Sequence, residues 1–209
     1  MKTRHLVLLV CASAALAACG REQAAPSQAQ TQTQTQAPAS APQGLDVPAT
    51  ASIREIMEGF VEPSADFLFS SVQEVSNDQG VSLKQPQTDG DWAEVRRNLT
   101  VLAAVPAYLT SPGRAVAPAG AKSEHPGVEN EPEVTRRLID ADPANFARRG
   151  AALTEAVGAA MKAAEAKDAR GLMNSLVGVD HACEACHLQY WYPNDKRAQQ
   201  AAREEGIVQ

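Results

Sequence analysis

Leu172-Met173-Asn174-Ser175-Leu176-Val177-Gly178-Val179-Asp180-His181-Ala182-Cys183-Glu184-Ala185-Cys186-His187-Leu188-Gln189-Tyr190 is the stretch that decides how the rest of the chain reads. Leu172, Leu176, Val179, Cys183, Cys186 and Tyr190 stand at i, i+4, i+7, i+11, i+14 and i+18, the recurrence of one helical face. Asp168 is placed to cap the helix. The same face carries Cys183-Glu184-Ala185-Cys186-His187. Two thiols two residues apart, followed at once by an imidazole, are what covalent haem attachment requires. Each thiol can add to one vinyl group of protoporphyrin IX, and the adjoining imidazole then lies where it can ligate the iron. On a helix Cys183 and His187 are one turn apart with Cys186 between them, so a haem would hang from the face that packs into the core. The other uses of Cys-x-x-Cys are a dithiol redox pair and a zinc site. Zinc would need a fourth ligand that the spacing does not supply, although His181 is nearby.

Upstream, three more segments show helical periodicity. The first opens with Ser52-Ile53-Arg54-Glu55, a capping box, and carries Ile53, Met57, Phe60, Ser64, Phe67 and Val72 on one stripe. Pro63 falls inside that pattern and should kink the helix or split it near Glu62. The second should start at Asp91, with Glu94 three residues later. Trp92, Val95, Leu99, Leu102 and Leu109 form its stripe, and Pro106 should kink or end its last turns. The third opens on Asp142 as N-cap and Pro143 as first helical residue. Phe146, Gly150, Leu153, Val157, Met161 and Ala164 lie on one face. Residues 77–90 are polar and rich in turn formers. Residues 111–141 carry Pro112, Gly113, Pro118, Gly120, Pro126, Gly127 and Pro132 and read as a long irregular connection with a short helix around 133–139. A connection of that length fits a helix bundle with one long crossover. His125 lies in it and is expected to be a solvated loop residue. No strand-like alternation of any length is apparent.

Composition agrees. Aromatics make up 4% of a chain rich in alanine, which favours closely packed helices over a sheet sandwich. The net charge of −6 argues against nucleic acid or an anionic membrane surface as the main partner. Lys2, Arg4 and His5 precede an apolar run from Leu6 to Ala18 that is too short to span a bilayer. The run ends in Leu16-Ala17-Ala18-Cys19, which resembles the bacterial lipobox, in which the cysteine becomes the lipidated first residue. Residues 1–18 are therefore expected to be a lipoprotein signal peptide and Cys19 the lipidation site. The alternative is ordinary cleavage near Ala18 and a soluble periplasmic protein. Residues 19–49, rich in Gln, Ala, Pro and Thr, should be a disordered tether, since they hold too little apolar surface to offset chain ordering. The folded domain should occupy residues 50–195, followed by a polar, fraying tail over 196–209.

Four helical segments, a proline-interrupted first helix, a long crossover between the second and third, and Cys183-x-x-Cys186-His187 near the C-terminus resemble the class II cytochromes c, the cytochrome c′ and cytochrome c556 group. The resemblance covers residues 50–193. It implies an all-α, antiparallel four-helix bundle with one covalent haem c, held by Cys183 and Cys186 and ligated on its proximal side by His187. Two departures from the family pattern stand out. The position four after the ligating histidine, often basic in the family, is Trp191. The family's distal position, about four residues after an arginine in the first helix, falls on Glu58, one residue from Met57.

The sixth iron ligand separates the functions. With one protein ligand the iron can bind a gas; with two strong ones it is suited to electron transfer. Met57 is the preferred distal candidate because it stands on the first helix. Met161 sits on an apolar face as a core residue would, and Met173 lies ten residues before Cys183, roughly 15 Å along the helix. Tyr190, Trp191 and Phe60 are candidate haem contacts, and Trp92 a core residue. With no distal histidine–arginine pair, catalysis is not expected. The expected function is that of a periplasmic monohaem electron carrier with an unidentified redox partner protein. It would be tethered through Cys19, with the outer membrane favoured because Gly20 follows the cysteine. The alternative is a five-coordinate protein that binds nitric oxide or carbon monoxide. A homodimer is compatible with either.

Overall fold

The computed structural model describes residues 44–208. The signal segment 1–18, Cys19 and the tether up to residue 43 lie outside the described residues. The described chain is mostly helical: α1 (Ile53–Ile56), a π-helical turn (Met57–Val61), α2 (Glu62–Ser71), α3 (Asp89–Leu109), α4 (Pro132–Ala141), α5 (Pro143–Glu165), α6 (Ala169–Tyr190) and α7 (Lys196–Glu204). None of these helices is long and apolar enough to cross a membrane.

The start signals act mostly where their chemistry dictates. Ser52 Oγ accepts the Glu55 N–H at 3.3 Å while the Glu55 carboxylate accepts the Ser52 N–H at 2.8 Å, which closes the capping box. Asp142 and Asp168 accept the N–H groups of Asn145 and Gly171, both at 2.9 Å, at the starts of α5 and α6. The α3 cap differs from expectation. Thr88 is the N-cap and Asp91 its N3 partner, three residues earlier than an Asp91 start. The Asp91 carboxylate takes the N–H groups of Gln87 and Thr88 at 2.9 Å each. Glu94 is left to pair with Arg97 one turn on. Pro63 sits in the first turn of α2, where its missing N–H costs least. The turn before it slips to π geometry, with the Glu62 N–H donating to the Met57 carbonyl. Pro106 does not end α3, which runs on to Leu109.

The main core joins α1, α2, α3, α5 and α6. Ile56, Leu68, Val95, Leu99, Val105, Val157, Leu172 and Val179 are almost wholly buried in it, and Trp92 is part of it as expected. Helix α5 packs along both α3 and α6, and α2 packs on α3. Gly150 is the close-approach point of α3 and α5. A side-chain carbon there would lie 3.3 Å from both Pro106 and Thr110.

Three segments depart from the reading of the sequence. Gln73–Asn77 and Gly80–Lys84 form an antiparallel hairpin, from Gln73 opposite Lys84 to Asn77 opposite Gly80. Gly80, at φ +113, closes its two-residue turn. Only Leu83 reaches the core, and Arg170 ties the hairpin to α6 through Glu74 at 3.1 Å. Residues 44–49, assigned to the tether, instead lay Leu45 and Val47 on the core, and the Tyr108 hydroxyl donates to the Leu45 carbonyl at 3.1 Å. The polar tail is helical over Lys196–Glu204. Asp195 caps it, Ala202 is buried, and Glu205 approaches His181 to 3.4 Å.

The crossover expected to be irregular has the short helix α4 and is fastened at both ends. Near its start, the carbonyls of Ala115 and Val116 accept the N–H groups of Ile53 and Arg54 at 2.8 and 2.9 Å, satisfying donors that α1 cannot pair internally. Near its end, Asn130 donates its backbone N–H to the Trp191 carbonyl at 2.6 Å and its side-chain amide to the Tyr190 carbonyl at 3.1 Å. Thr135 adds a 2.7 Å bond to that same Tyr190 oxygen. In between, the buried Glu129 carboxylate gathers the Ser123 hydroxyl and the Glu124 and His125 N–H groups.

Gly150→Leu should lower the unfolding free energy by about 1–3 kcal/mol, because Pro106 and Thr110 leave no room. Gly158→Ala, at an exposed helical site with open space, should raise it by about 0.5–1 kcal/mol. Chemical denaturation of the two variants checks the pair.

Candidate haem site

Cys183, Cys186 and His187 lie in the last two turns of α6. The two thiols are unpaired and half-buried, and they meet different parts of the interior. Cys183 packs on the main core, as do Met57 and Phe60. Cys186 packs on a second, smaller cluster of Ile139, Phe146 and Tyr190, which Ile53 and Val116 also touch. Both α6 and the first helix thus contribute to each cluster: Cys183 and Met57 pack on the main core, Cys186 and Ile53 on the second. The second cluster was not legible in the sequence, because it gathers single residues from the first helix, the crossover, α4, α5 and α6.

Tyr190 is buried, edge-on to Phe146 with ring centroids 5.1 Å apart, and its hydroxyl accepts from the Asn145 amide at 3.3 Å. Trp191 lies on the surface, 42% exposed, with its ring perpendicular to the His187 imidazole at 5.1 Å. Phe60 is half-buried against the main core. In the π turn Met57 faces the core while Glu58 is exposed, so of the two candidates for the distal position it is Met57 that points inward. Met161 and Met173 are also half-buried core packers, and His125 is exposed on the crossover.

Burial dominates the electrostatics. It pushes the Cys183 thiol up to about 12, helped by Asp180, and the Cys186 thiol up to about 11, with Arg149 pulling the other way. It holds His187 down at about 4, so the ring is neutral at physiological pH. The Tyr192 hydroxyl donates to a Glu184 carboxylate oxygen at 2.6 Å and stands 3.3 Å from Nδ1 of His187. Burial and that carboxylate raise the tyrosine well above its usual range. The link of Tyr192 to Glu184 was not legible in the sequence, since eight residues and the end of the helix separate them.

This donor set fits a haem held through thioethers. A neutral imidazole is the form that ligates iron. The thiols flank it on the inward side of one helix. Among the described residues no three or more His, Cys, Asp and Glu side chains converge on a metal-ion position, which leaves a four-ligand zinc site without its set. Activated Cys-x-x-Cys pairs have depressed thiol pKa values at helix N-termini. These thiols are raised and sit near a helix C-terminus, where the backbone dipole disfavours thiolate.

No family model matches the chain, and no curated protein matches it. Among solved structures, it is similar to a nitric oxide complex of a mutant cytochrome c prime from Alcaligenes xylosoxidans. The two are 21% identical, with a TM-score of 0.39 over 68% of this chain and 97% of the other. So loose a superposition carries no weight for fold or chemistry, and the case for haem stands on the chain's own residues.

Folding depresses the His187 pKa from 6.5 to about 4. As pH falls, protons therefore bind the unfolded haem-free chain first. Its contribution to stability is whole above about pH 6.5 and is lost on the way down through pH 4, a loss on the order of 3 kcal/mol. Denaturant titrations of the haem-free chain between those pH values should show the decline, and His187→Gln should remove most of it.

Proposed function

We propose that this chain is a monohaem c-type cytochrome that carries single electrons. Cys183 and Cys186 bind one haem c covalently, His187 ligates its iron through Nε2, and Met57 supplies the sixth ligand. The observation that carries the reading is the Cys183-x-x-Cys186-His187 triplet on the last turns of α6, with Cys183 packed on the main core, on which Met57 also packs, and Cys186 on the second cluster, which Ile53 also touches. In this reading α1–α2, α3, α5 and α6 are the four members of an antiparallel bundle, and the haem occupies the seam between the first and the last.

The bound group supplies a one-electron iron couple whose potential a thioether ligand raises. The chain's own residues do the rest. The thiols would hold the ring to α6 as thioethers. Tyr190 and Phe60 would shield it from water, and Trp191 packs edge-on against His187. The buried, neutral imidazole keeps a lone pair for the metal. Lipidation at Cys19, a periplasmic address and an electron-exchange partner protein complete the reading, with the motif and the leader as their support.

A second reading is favoured by one feature of Met57: it packs within an apolar cluster beside Phe60, as an ordinary core methionine does. The iron would then keep an open distal side and bind nitric oxide or carbon monoxide.

Optical spectra of periplasmically matured protein separate the two. A low-spin reduced spectrum that ignores carbon monoxide, turned high-spin by Met57→Ala, supports the carrier. A high-spin spectrum that shifts at once on adding carbon monoxide, and that Met57→Ala leaves unchanged, supports gas binding. Absence of any haem spectrum, with Cys183→Ala/Cys186→Ala identical to the parent, overturns both.

A further inference from the structure

We infer that Tyr192, held by Glu184, is the positioning residue that fixes the tautomer of His187 and strengthens it as an iron ligand; this rests on the haem reading above. Two contacts meet at the Tyr192 hydroxyl. Its 2.6 Å approach to the Glu184 carboxylate is the length of a charge-assisted O–H···O⁻ bond, and a carboxylate can only accept. The phenolic proton is thereby committed to Glu184. What the oxygen turns toward His187, at 3.3 Å from Nδ1, is a lone pair. The imidazole therefore carries its proton on Nδ1 and donates it to Tyr192, which leaves Nε2 bare. Were Tyr192 to donate to Nδ1 instead, the proton of the neutral ring would sit on Nε2 and block it as a ligand.

The arrangement is built in from several sides. The Tyr192 N–H donates to the His187 carbonyl at 3.0 Å, so ligand and positioning residue are also joined through the backbone. The Tyr192 ring lies 5.6 Å from the imidazole and 5.2 Å from Trp191, and Trp191 stands perpendicular to the imidazole. Asn130 anchors the Trp191 carbonyl, and Asn194 donates to the Val128 carbonyl at 3.4 Å, so the crossover holds the turn that presents Tyr192. Carboxylate, hydroxyl and imidazole in series form the outer-shell chain that raises the basicity of a ligating histidine. A more basic imidazole favours the oxidised metal and lowers the reduction potential.

The test uses the full chain with and without haem. In haem-free protein, nitrogen-15 shifts of His187 should report the Nδ1–H tautomer, and Tyr192→Phe, which keeps the ring and loses the acceptor, should move the population toward Nε2–H. In matured protein, Tyr192→Phe should carry as much haem per chain as the parent but shift the one-electron equilibrium toward the reduced state about tenfold, a rise of roughly 59 mV. Glu184→Gln should move it in the same direction by less, and serves if Tyr192→Phe folds poorly. An unchanged potential in both variants, or an Nε2–H tautomer in the parent, overturns the inference and leaves haem attachment standing. A parent that takes up no haem yet shows the Nδ1–H tautomer overturns the cytochrome reading and with it the role at iron.

Discussion

The C-terminal end of α6 has carbonyls with no partner in their own helix, and the way they are satisfied organises the molecule. The Tyr190 oxygen takes two donors from the crossover, the Asn130 amide and the Thr135 hydroxyl, and the Trp191 oxygen takes the Asn130 backbone N–H. A long proline- and glycine-rich segment is in this way tied to the helix that carries both cysteines. Its earlier part meets the N–H groups that open α1. One connection thus satisfies the start of the first helix and the end of α6.

That placement has chemical consequences. An apolar setting makes a thiol resist ionisation and an imidazole resist protonation; the nearby helix C-terminus adds to the first effect and opposes the second, so burial alone holds the imidazole neutral. Cys183, Cys186 and His187 are accordingly held neutral. These conditions are poor for dithiol exchange, which needs thiolate at neutral pH. They leave the thiols protonated and the histidine with a free lone pair, as the proposed haem attachment needs. Trp191 and Tyr192 wall the outward side of the imidazole with aromatic surface and a carboxylate-backed hydroxyl.

The first helix shows how a local conflict can serve a site. Pro63 breaks the regular hydrogen-bond ladder, and the chain absorbs the break in one π turn, Met57–Val61, instead of ending the helix. That turn sets which residue faces inward. The family resemblance pointed to Glu58 and the apolar stripe to Met57; the wound turn packs Met57, half-buried, on the core and leaves Glu58 exposed. A shift of one residue in a helix rotates a side chain by about 100°, more than enough to exchange core for solvent.

The sequence by itself determined what depends on neighbours within a turn or two. The caps at Ser52, Asp142 and Asp168, the apolar stripes of α3, α5 and α6, and the thiol–thiol–imidazole spacing all follow from side chains three or four residues apart, where helix geometry makes contact obligatory. The α3 cap slipped only because Thr88-x-x-Asp91 and Asp91-x-x-Glu94 are chemically equivalent signals. The tertiary structure alone decided what depends on distant partners. The exposed hairpin at Gln73–Lys84 carries too few apolar residues to declare itself, and Leu45 and Val47 are half-buried, and Ala202 buried, only because the packed helices offer them surface. The small cluster around Cys186 and the Glu184–Tyr192–His187 series belong to the same class. Each assembles from elements that the chain brings together after the helices have formed, and side chains that meet across the end of a helix leave no period in the sequence to mark them.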